Sequence, residues 1–235
     1  MYSDVFCRVY NEFGWNYYPE AFGEQLMLWL RQKGLSPATA LDIGCGTGVL
    51  CRLLRKNGIL PRGMDLSPGM IAIARQENPG IPFDIGDMTD YHPETHFDLV
   101  TCTGDALNHL SDPKDVDKVL GCVWDCLTPG GLFVFDILDE KEVSDSEPFE
   151  MDFSDTVRVW FQMTRPTGNR VHLTVRVYEN GGLAFEETIK ETLHAPALLQ
   201  SMLADRGFRT ILCAHRLTDS ANEAATWYFI AQKPE

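Results

Sequence analysis

Long apolar runs, paired cysteines and clusters of basic residues are all missing from this chain of 235 residues. No stretch approaches the roughly 20 apolar residues that a membrane-crossing helix needs. The opening Met1-Tyr2-Ser3-Asp4 lacks the basic-then-apolar order of a secretory signal, and together these set the expectation of a cytoplasmic location with no membrane partner. The cysteines number seven. They are odd in count, scattered, and never spaced C-x-x-C, which argues against a disulfide framework and for reduced thiols acting as small buried hydrophobes. No Cys and His grouping has zinc-ligand spacing, so no metal is expected. Basic residues are few, 20 Lys plus Arg against 34 Asp plus Glu, for a net charge of −14. They are also dispersed. An enzyme of nucleic acids shows a basic face, because counterion release from phosphates drives that binding. A nucleic-acid partner is therefore disfavoured, and neutral or cationic small molecules are favoured. Internal repeats and low-complexity tracts are absent too.

What remains is ordinary globular composition, 44% hydrophobic and 23% charged, of a length that is most simply one domain with a sizeable core. The most informative run is Ala40-Leu41-Asp42-Ile43-Gly44-Cys45-Gly46-Thr47-Gly48-Val49-Leu50. A short apolar strand is followed by glycines at every second position and then a helix. Glycine permits sharp turns and close backbone approach to a ligand, and a helix start directs free N–H groups into the same space. Dinucleotide folds use G-x-G-x-x-G, which would put glycine where Val49 stands. The spacing excludes that reading.

Strands and helices alternate on either side of this run. A helix is expected over 19–33, a strand over 39–43, a helix over 48–57 and a strand over 60–65. Ser67-Pro68 opens the next helix as N-cap and N1 proline. Further strands fall at 82–86 and 97–102, and a helix spans 112–127. The turn Pro129-Gly130-Gly131 leads into a strand over 132–137. This rhythm implies parallel βαβ units. Beyond an acidic loop at 140–150, three runs (156–164, 170–178 and 184–193) carry the β-rich composition and turn signals of an antiparallel meander. A helix over 196–206 and strands over 208–216 and 226–233 close the chain.

The D-x-G-x-G-x-G pattern of Asp42 to Gly48, with this order of elements over 38–138 and 196–233, resembles class I S-adenosylmethionine (SAM) dependent methyltransferases. The N-terminal segment, the DALNHL run at 105–110 and the inserted meander are similar to a small-molecule subgroup of the methyltransferase domain 25/11 type, which includes aminosugar N,N-dimethyltransferases. The resemblance implies an α/β fold: a Rossmann-like seven-stranded sheet of order 3-2-1-4-5-7-6 with the last strand antiparallel, helices on both faces, and the meander inserted. It implies SAM as methyl donor and S-adenosylhomocysteine as product. Around SAM it places the loop residues Gly44, Cys45, Gly46 and Gly48, with Asp42 near the methionine amino group. An acid at strand two's end, here Asp65, twenty-one positions past Gly44, can accept both ribose hydroxyls, with Leu66 beside it. Asp87 falls near the adenine amino group and Met88 against the ring, although Asp87 reads equally as a turn residue and Met88 as ordinary core. Thr103 lies at the end of strand four, where the methyl should sit.

Base-modifying methyltransferases carry [N/D]-P-P-[Y/F] at that place. Here it reads Thr103-Gly104-Asp105-Ala106, so that chemistry loses support. Moving a methyl to a nitrogen or oxygen requires alignment and, for a protonated amine or a hydroxyl, a base. His109, Asp105 and Tyr18 are the candidates, each with a competing structural reading. Residues 1–34 are expected as a helical lid, crowded with Tyr10, Trp15, Tyr17 and Tyr18, that either walls the site or merely docks as a hydrophobic staple. The segment 150–194 either roofs the substrate or pairs two subunits in a homodimer. The alternatives to a small-molecule enzyme are a SAM-binding module without catalysis and a methyltransferase acting on RNA or protein.

Overall fold

The computed structural model describes residues 2–141, 143–218 and 226–235. Its centre is a seven-stranded sheet of order β3-β2-β1-β4-β5-β11-β10. The strands are β1 (Thr39–Ile43), β2 (Leu60–Asp65), β3 (Phe83–Ile85), β4 (Phe97–Cys102), β5 (Leu127–Leu138), β10 (Arg209–Ala214) and β11 (Thr226–Gln232). β11 is antiparallel to both β5 and β10. With β10 and β11 as the sixth and seventh strands, this is the expected order and orientation.

Among the described residues, six α-helices accompany the strands: α1 (Asp4–Val9), α2 (Tyr17–Gln32), α3 (Val49–Lys56), α4 (Pro68–Glu77), α5 (Pro113–Cys126) and α6 (Pro196–Arg206). The central strands are mostly apolar because helices cover both faces; Asp42, Thr101 and Asp136 are buried exceptions. Ala40, Leu99 and Val134 pack with Phe22, Leu26 and Trp29 of α2 and Leu50 and Leu54 of α3. The alternate residues Leu41, Val100 and Phe133 pack with Val119 and Val123 of α5 and Leu199 and Leu203 of α6.

Most boundaries shift by one or two residues from expectation, and the start of β5 shifts by five. α5 runs directly into β5, whose Leu127 already pairs with Phe97, and pairing resumes with Leu132 opposite Leu99. Pro129-Gly130-Gly131 is thus a bulge within β5, held by the chain end: the Gly130 amide donates to Lys233 O at 2.9 Å, and the Lys233 amide to Gly131 O at 2.9 Å. A bulge lets one strand carry extra residues without ending, which the Pro-Gly-Gly signal alone does not distinguish from a turn.

Between β5 and α6 lies a separate antiparallel sheet of order β6-β7-β8-β9, comprising β6 (Phe149–Asp152), β7 (Val157–Thr164), β8 (Arg170–Glu179) and β9 (Gly182–Thr192). Sequence predicted three of these strands. β6 was missed because its four residues, although alternating apolar and acidic as Phe149-Glu150-Met151-Asp152, abut the acidic loop; all four are exposed. Asn180 and Gly181, at φ 51° and 79°, make the two-residue turn between Glu179 and Gly182 that a right-twisted hairpin favours. The inward face of this sheet (Val159, Val175, Val177) is buried against Phe6 and Cys7 of α1 and Met70 of α4. Its outward face carries Trp160 with the Arg176 guanidinium 4.1 Å above the ring.

Candidate active site

Strand order reverses between β1 and β4, and open α/β sheets bind ligands at such a switch, outside the carboxyl ends of the strands. A cavity of about 880 Å³ lies there, walled by the loops after β1, β2, β3 and β4, by the N-terminal helices and by β9. That is large enough for a nucleoside-sized molecule and an acceptor together.

The glycine loop forms the floor. Gly44, Gly46 and Gly48 all have positive φ, at 70°, 51° and 80°, a region that costs a side-chain-bearing residue about 1–2 kcal/mol. They do different work. A Cβ at Gly48 would stand 2.7 Å from the Phe83 ring, whereas nothing lies within 4 Å of a Cβ at Gly46. Gly48 therefore serves packing, and it does not line the cavity; Gly44, Cys45 and Gly46 do. Cys45 is buried among Ile71, Ala74 and Phe83.

Three carboxylates fix this floor. Asp42, 1% exposed, accepts from Thr101 Oγ1 at 2.7 Å, and burial pushes its carboxyl up to about 7. Asp65 accepts the Gly46 amide at 2.9 Å and the Ser67 amide at 2.8 Å, tying the loop to the end of β2, while Ser67 caps α4 as expected. Asp87 closes its own turn by accepting the Thr89 amide and hydroxyl at 2.8 Å. Leu66 and Met88 border the same space.

Beyond β4, the buried Asp136 of β5 organises the turn that carries the candidate catalytic residues. It accepts from Thr103 Oγ1 at 2.8 Å, the Gly104 amide at 3.1 Å and the Asp105 amide at 2.8 Å, and from the Tyr18 hydroxyl. Burial still raises its pKa, opposed by those bonds. The Tyr18 hydroxyl, pushed far up by burial and by this partner's charge, is a donor to Asp136. Asp105 itself sits at φ 52°, a left-handed conformation that aspartate tolerates, and opens the 3-10 turn Ala106–His109. Asn108 in that turn reaches Thr192 O at 2.8 Å and receives the Leu138 amide at 3.2 Å, so it is a pin between the two sheets.

His109 reaches the rim, with Nε2 3.1 Å from the Tyr2 hydroxyl. Loss of water around the ring lowers its pKa, opposed by a hydrogen bond to the Lys190 backbone. Asp105 and His109 meet a third residue, Glu191 of β9, with one side-chain atom of each within 4.8 Å of the others. Glu191 is 7% exposed, and burial raises its pKa to about 7. Asp105 is raised well above its usual value by burial, then by the charges of Glu191 and Asp136.

The N-terminal segment both lines the cavity and packs against the inserted sheet. Tyr2, Phe6, Tyr10, Trp15 and Tyr18 line the cavity, while Trp15 stands edge-on to Phe161 of β7 at 5.7 Å. Asn11 accepts from Thr47 Oγ1 at 2.8 Å, fastening the segment to the glycine loop. Tyr17, 75% exposed, faces solvent.

Every candidate site residue except Gly48 lines this one cavity. Sequence reasoning missed Asp136, Glu191 and Tyr2. Asp136 had a legible signal, a single acid inside the apolar run Leu132–Leu138; Glu191, among several acids on one strand, had none.

Residues 40–131 match the family model described as methyltransferase domain. A dTDP-3-amino-3,6-dideoxy-alpha-D-glucopyranose N,N-dimethyltransferase of Streptomyces fradiae is 31% identical over 132 residues, 56% of this chain and 51% of that protein. The chain spans about half the length of the first curated relatives it matches. YqeM of Bacillus subtilis (strain 168) is 26% identical over 247 residues, 99% of this chain and 98% of that one. Among solved structures, SAM-bound CalS10 from Micromonospora echinaspora, an amino pentose methyltransferase involved in calicheamicin biosynthesis, superposes with a TM-score of 0.78 at 21% identity, covering 99% of this chain and 98% of that one.

Proposed function

We propose that this chain, whose domain model and fold are those of the class I SAM-dependent methyltransferases, moves a methyl group from SAM to a nitrogen or oxygen of a small molecule. The observation that carries the reading is Gly46. Its left-handed backbone and the open space where a Cβ would stand make a cradle that any side chain would fill, and its amide is aligned by Asp65. The residues fit the donor. Gly44, Cys45 and Gly46 would hold the methionine portion with Asp42 behind them; Asp65, which keeps lone pairs beyond the two amides, would hold the ribose, with Leu66 beside it. Asp87 and Met88 would hold the adenine, and Thr103 and Tyr10 would close the site around the methyl. When bound, SAM supplies a methyl on a sulfonium whose leaving group is a neutral thioether.

The chain's own contribution is position and dryness. Tyr2, Phe6, Tyr10 and Trp15 cover the cavity as the lid of residues 1–34, and excluding water while aligning the nucleophile is the larger share of such catalysis. The inserted sheet roofs the acceptor end through β9. Its inward face is committed to that roof and to α1, which leaves only the outward face for pairing with a second copy. Among the described residues no helix is long and apolar enough to cross a membrane, and free cysteines throughout suit a reducing compartment such as the cytoplasm.

The reading is tested by calorimetry with SAM and S-adenosylhomocysteine, on the wild-type protein and on Asp65→Ala, followed by turnover on panels of amines, phenols and tRNA. Micromolar binding, weakened about tenfold or more by Asp65→Ala, and turnover on a small acceptor are expected. Tight NADH binding without SAM binding sinks the proposal, and SAM binding with no turnover on any panel reassigns the chain as a binding module.

A further inference from the structure

Carboxylates around the cavity fall into two kinds. Asp42, Asp65, Asp87 and Asp136 each accept at least one hydrogen bond at 2.7 to 2.9 Å. The side chains of Asp105 and Glu191 accept none among the described residues. Strand alternation explains how Glu191 came to be so placed. It lies opposite Val171, which is fully buried, on the same inward face as Ile189 and Glu187; Glu187 is engaged by Ser3, whereas Glu191 is not. Asp105 is held from behind, its amide engaged by Asp136 while its carboxylate is left to face Glu191.

We infer that Asp105 and Glu191 form the binding subsite for a protonated amine, and that Glu191 takes up its proton. This rests on the methyl-transfer reading for the fate of the amine, though not for its binding.

Two adjacent carboxylates without protein donors, Glu191 buried and Asp105 half-buried, repel each other unless they share a proton, hold a cation between them or are screened by water in the cavity. His109 stands beside the pair with its pKa lowered by burial; apart from it, the described side chains supply the pair no cation. Lys190 is the only Lys or Arg among the described residues lining the cavity, and it stands opposite His172, on the other face of β9 from Glu191. An ammonium group offers several N–H donors to acceptors that have none. A divalent metal fits less well, because the His109 ring is already engaged by the Tyr2 hydroxyl and the Lys190 backbone, which leaves two carboxylates as ligands. Burial raises both acids, so the pair is a competent proton acceptor near neutrality.

The step balances simply. An N–H bond of the ammonium breaks and an O–H bond forms on the Glu191 carboxylate. The electron pair of the broken bond stays on nitrogen as the lone pair that methyl transfer requires, and the opposite charges cancel.

The test is calorimetry on the full chain with S-adenosylhomocysteine bound, using ethanolamine and glucosamine against their hydroxyl counterparts ethylene glycol and glucose, and Mn²⁺ alone. Amine probes are expected to bind about tenfold or more tighter than the hydroxyl probes. Glu191→Gln should remove that preference and leave the S-adenosylhomocysteine affinity unchanged. Equal affinity for amine and hydroxyl probes, no measurable binding of either amine, or unchanged amine binding in Glu191→Gln overturns the inference. Mn²⁺ binding that the same substitution abolishes, without an amine preference, makes the pair a metal site instead. Should S-adenosylhomocysteine itself fail to bind, the methyltransferase reading fails, and the amine preference is then judged on the protein alone. If Glu191→Gln does not fold, Asp105→Asn takes its place with the same outcomes.

Discussion

The floor and the roof of the cavity are built by opposite means. The floor, at the ends of β1, β2 and β4, is backbone held by acids: left-handed glycines turn the chain, and Asp65 and Asp136 gather the amides that result. The roof, from β9 and the N-terminal helices, is side chain, with aromatic rings and the Glu191 carboxylate, which has no donor. A satisfied carboxylate fixes a shape, whereas an unsatisfied one is held in readiness for something that arrives. The contrast marks which end of the cavity is scaffold and which is chemistry.

The largest break in that comparison should come from Asp136→Ala. It would strand four donors, from Tyr18, Thr103, Gly104 and Asp105, in a buried site. Breaking a buried charged network of this kind costs on the order of 3–5 kcal/mol, so denaturant unfolding should show a large loss of stability or no folded protein. Stability within 1 kcal/mol of wild type would mean that Asp136 is not the organiser of this turn.

Next in size is the split between two glycines. Gly48→Ala meets Phe83 and Asn78 and should cost about 2–4 kcal/mol of stability through strain and overpacking. Gly46→Ala has room and should cost only the conformational strain of about 1–2 kcal/mol, with its main effect on SAM affinity. Thermal melts and calorimetry on both variants distinguish them, and equal losses of stability would erase the distinction.

The smallest effect concerns pH. Burial raises Glu191 from its ordinary value of 4.5 to about 7, so between those values the folded protein retains a proton that the unfolded chain releases. Stability from this group is full below about 4.5 and is lost as pH rises through about 7. The groups facing it are Asp105, His109 and Tyr2, with Asp136 behind Asp105; burial lowers the pKa of His109 and so holds it towards its neutral form. Unfolding of the ligand-free protein across this window should therefore show a shallower decline in Glu191→Gln than in wild type. Identical slopes would place Glu191 in water.

How far these features were legible varied with their reach along the chain. The glycine loop, Asp42, Asp65 and the capping by Ser67-Pro68 could be read directly, because each lies within a few residues of the turn it serves. The β5 bulge could not, because a Pro-Gly-Gly run looks alike whether or not Lys233 pairs with it. The N-terminal wall of the cavity was legible as aromatic density, but not which ring would turn inward: Tyr18 donates to Asp136 while its neighbour Tyr17 faces solvent.

The sequence by itself determined the glycine loop after β1. The glycines between Asp42 and Gly48 permit the left-handed backbone angles of the turn locally, although Asp65 and Phe83 then hold the loop in place. Only the tertiary structure decided the acceptor end, where Tyr2, Asp105, Asp136 and Glu191 converge from distant parts of the chain. Whether a carboxylate is satisfied or unpaired depends on which donors the fold brings within about 3 Å, and that property belongs to the packed molecule rather than to any run of residues.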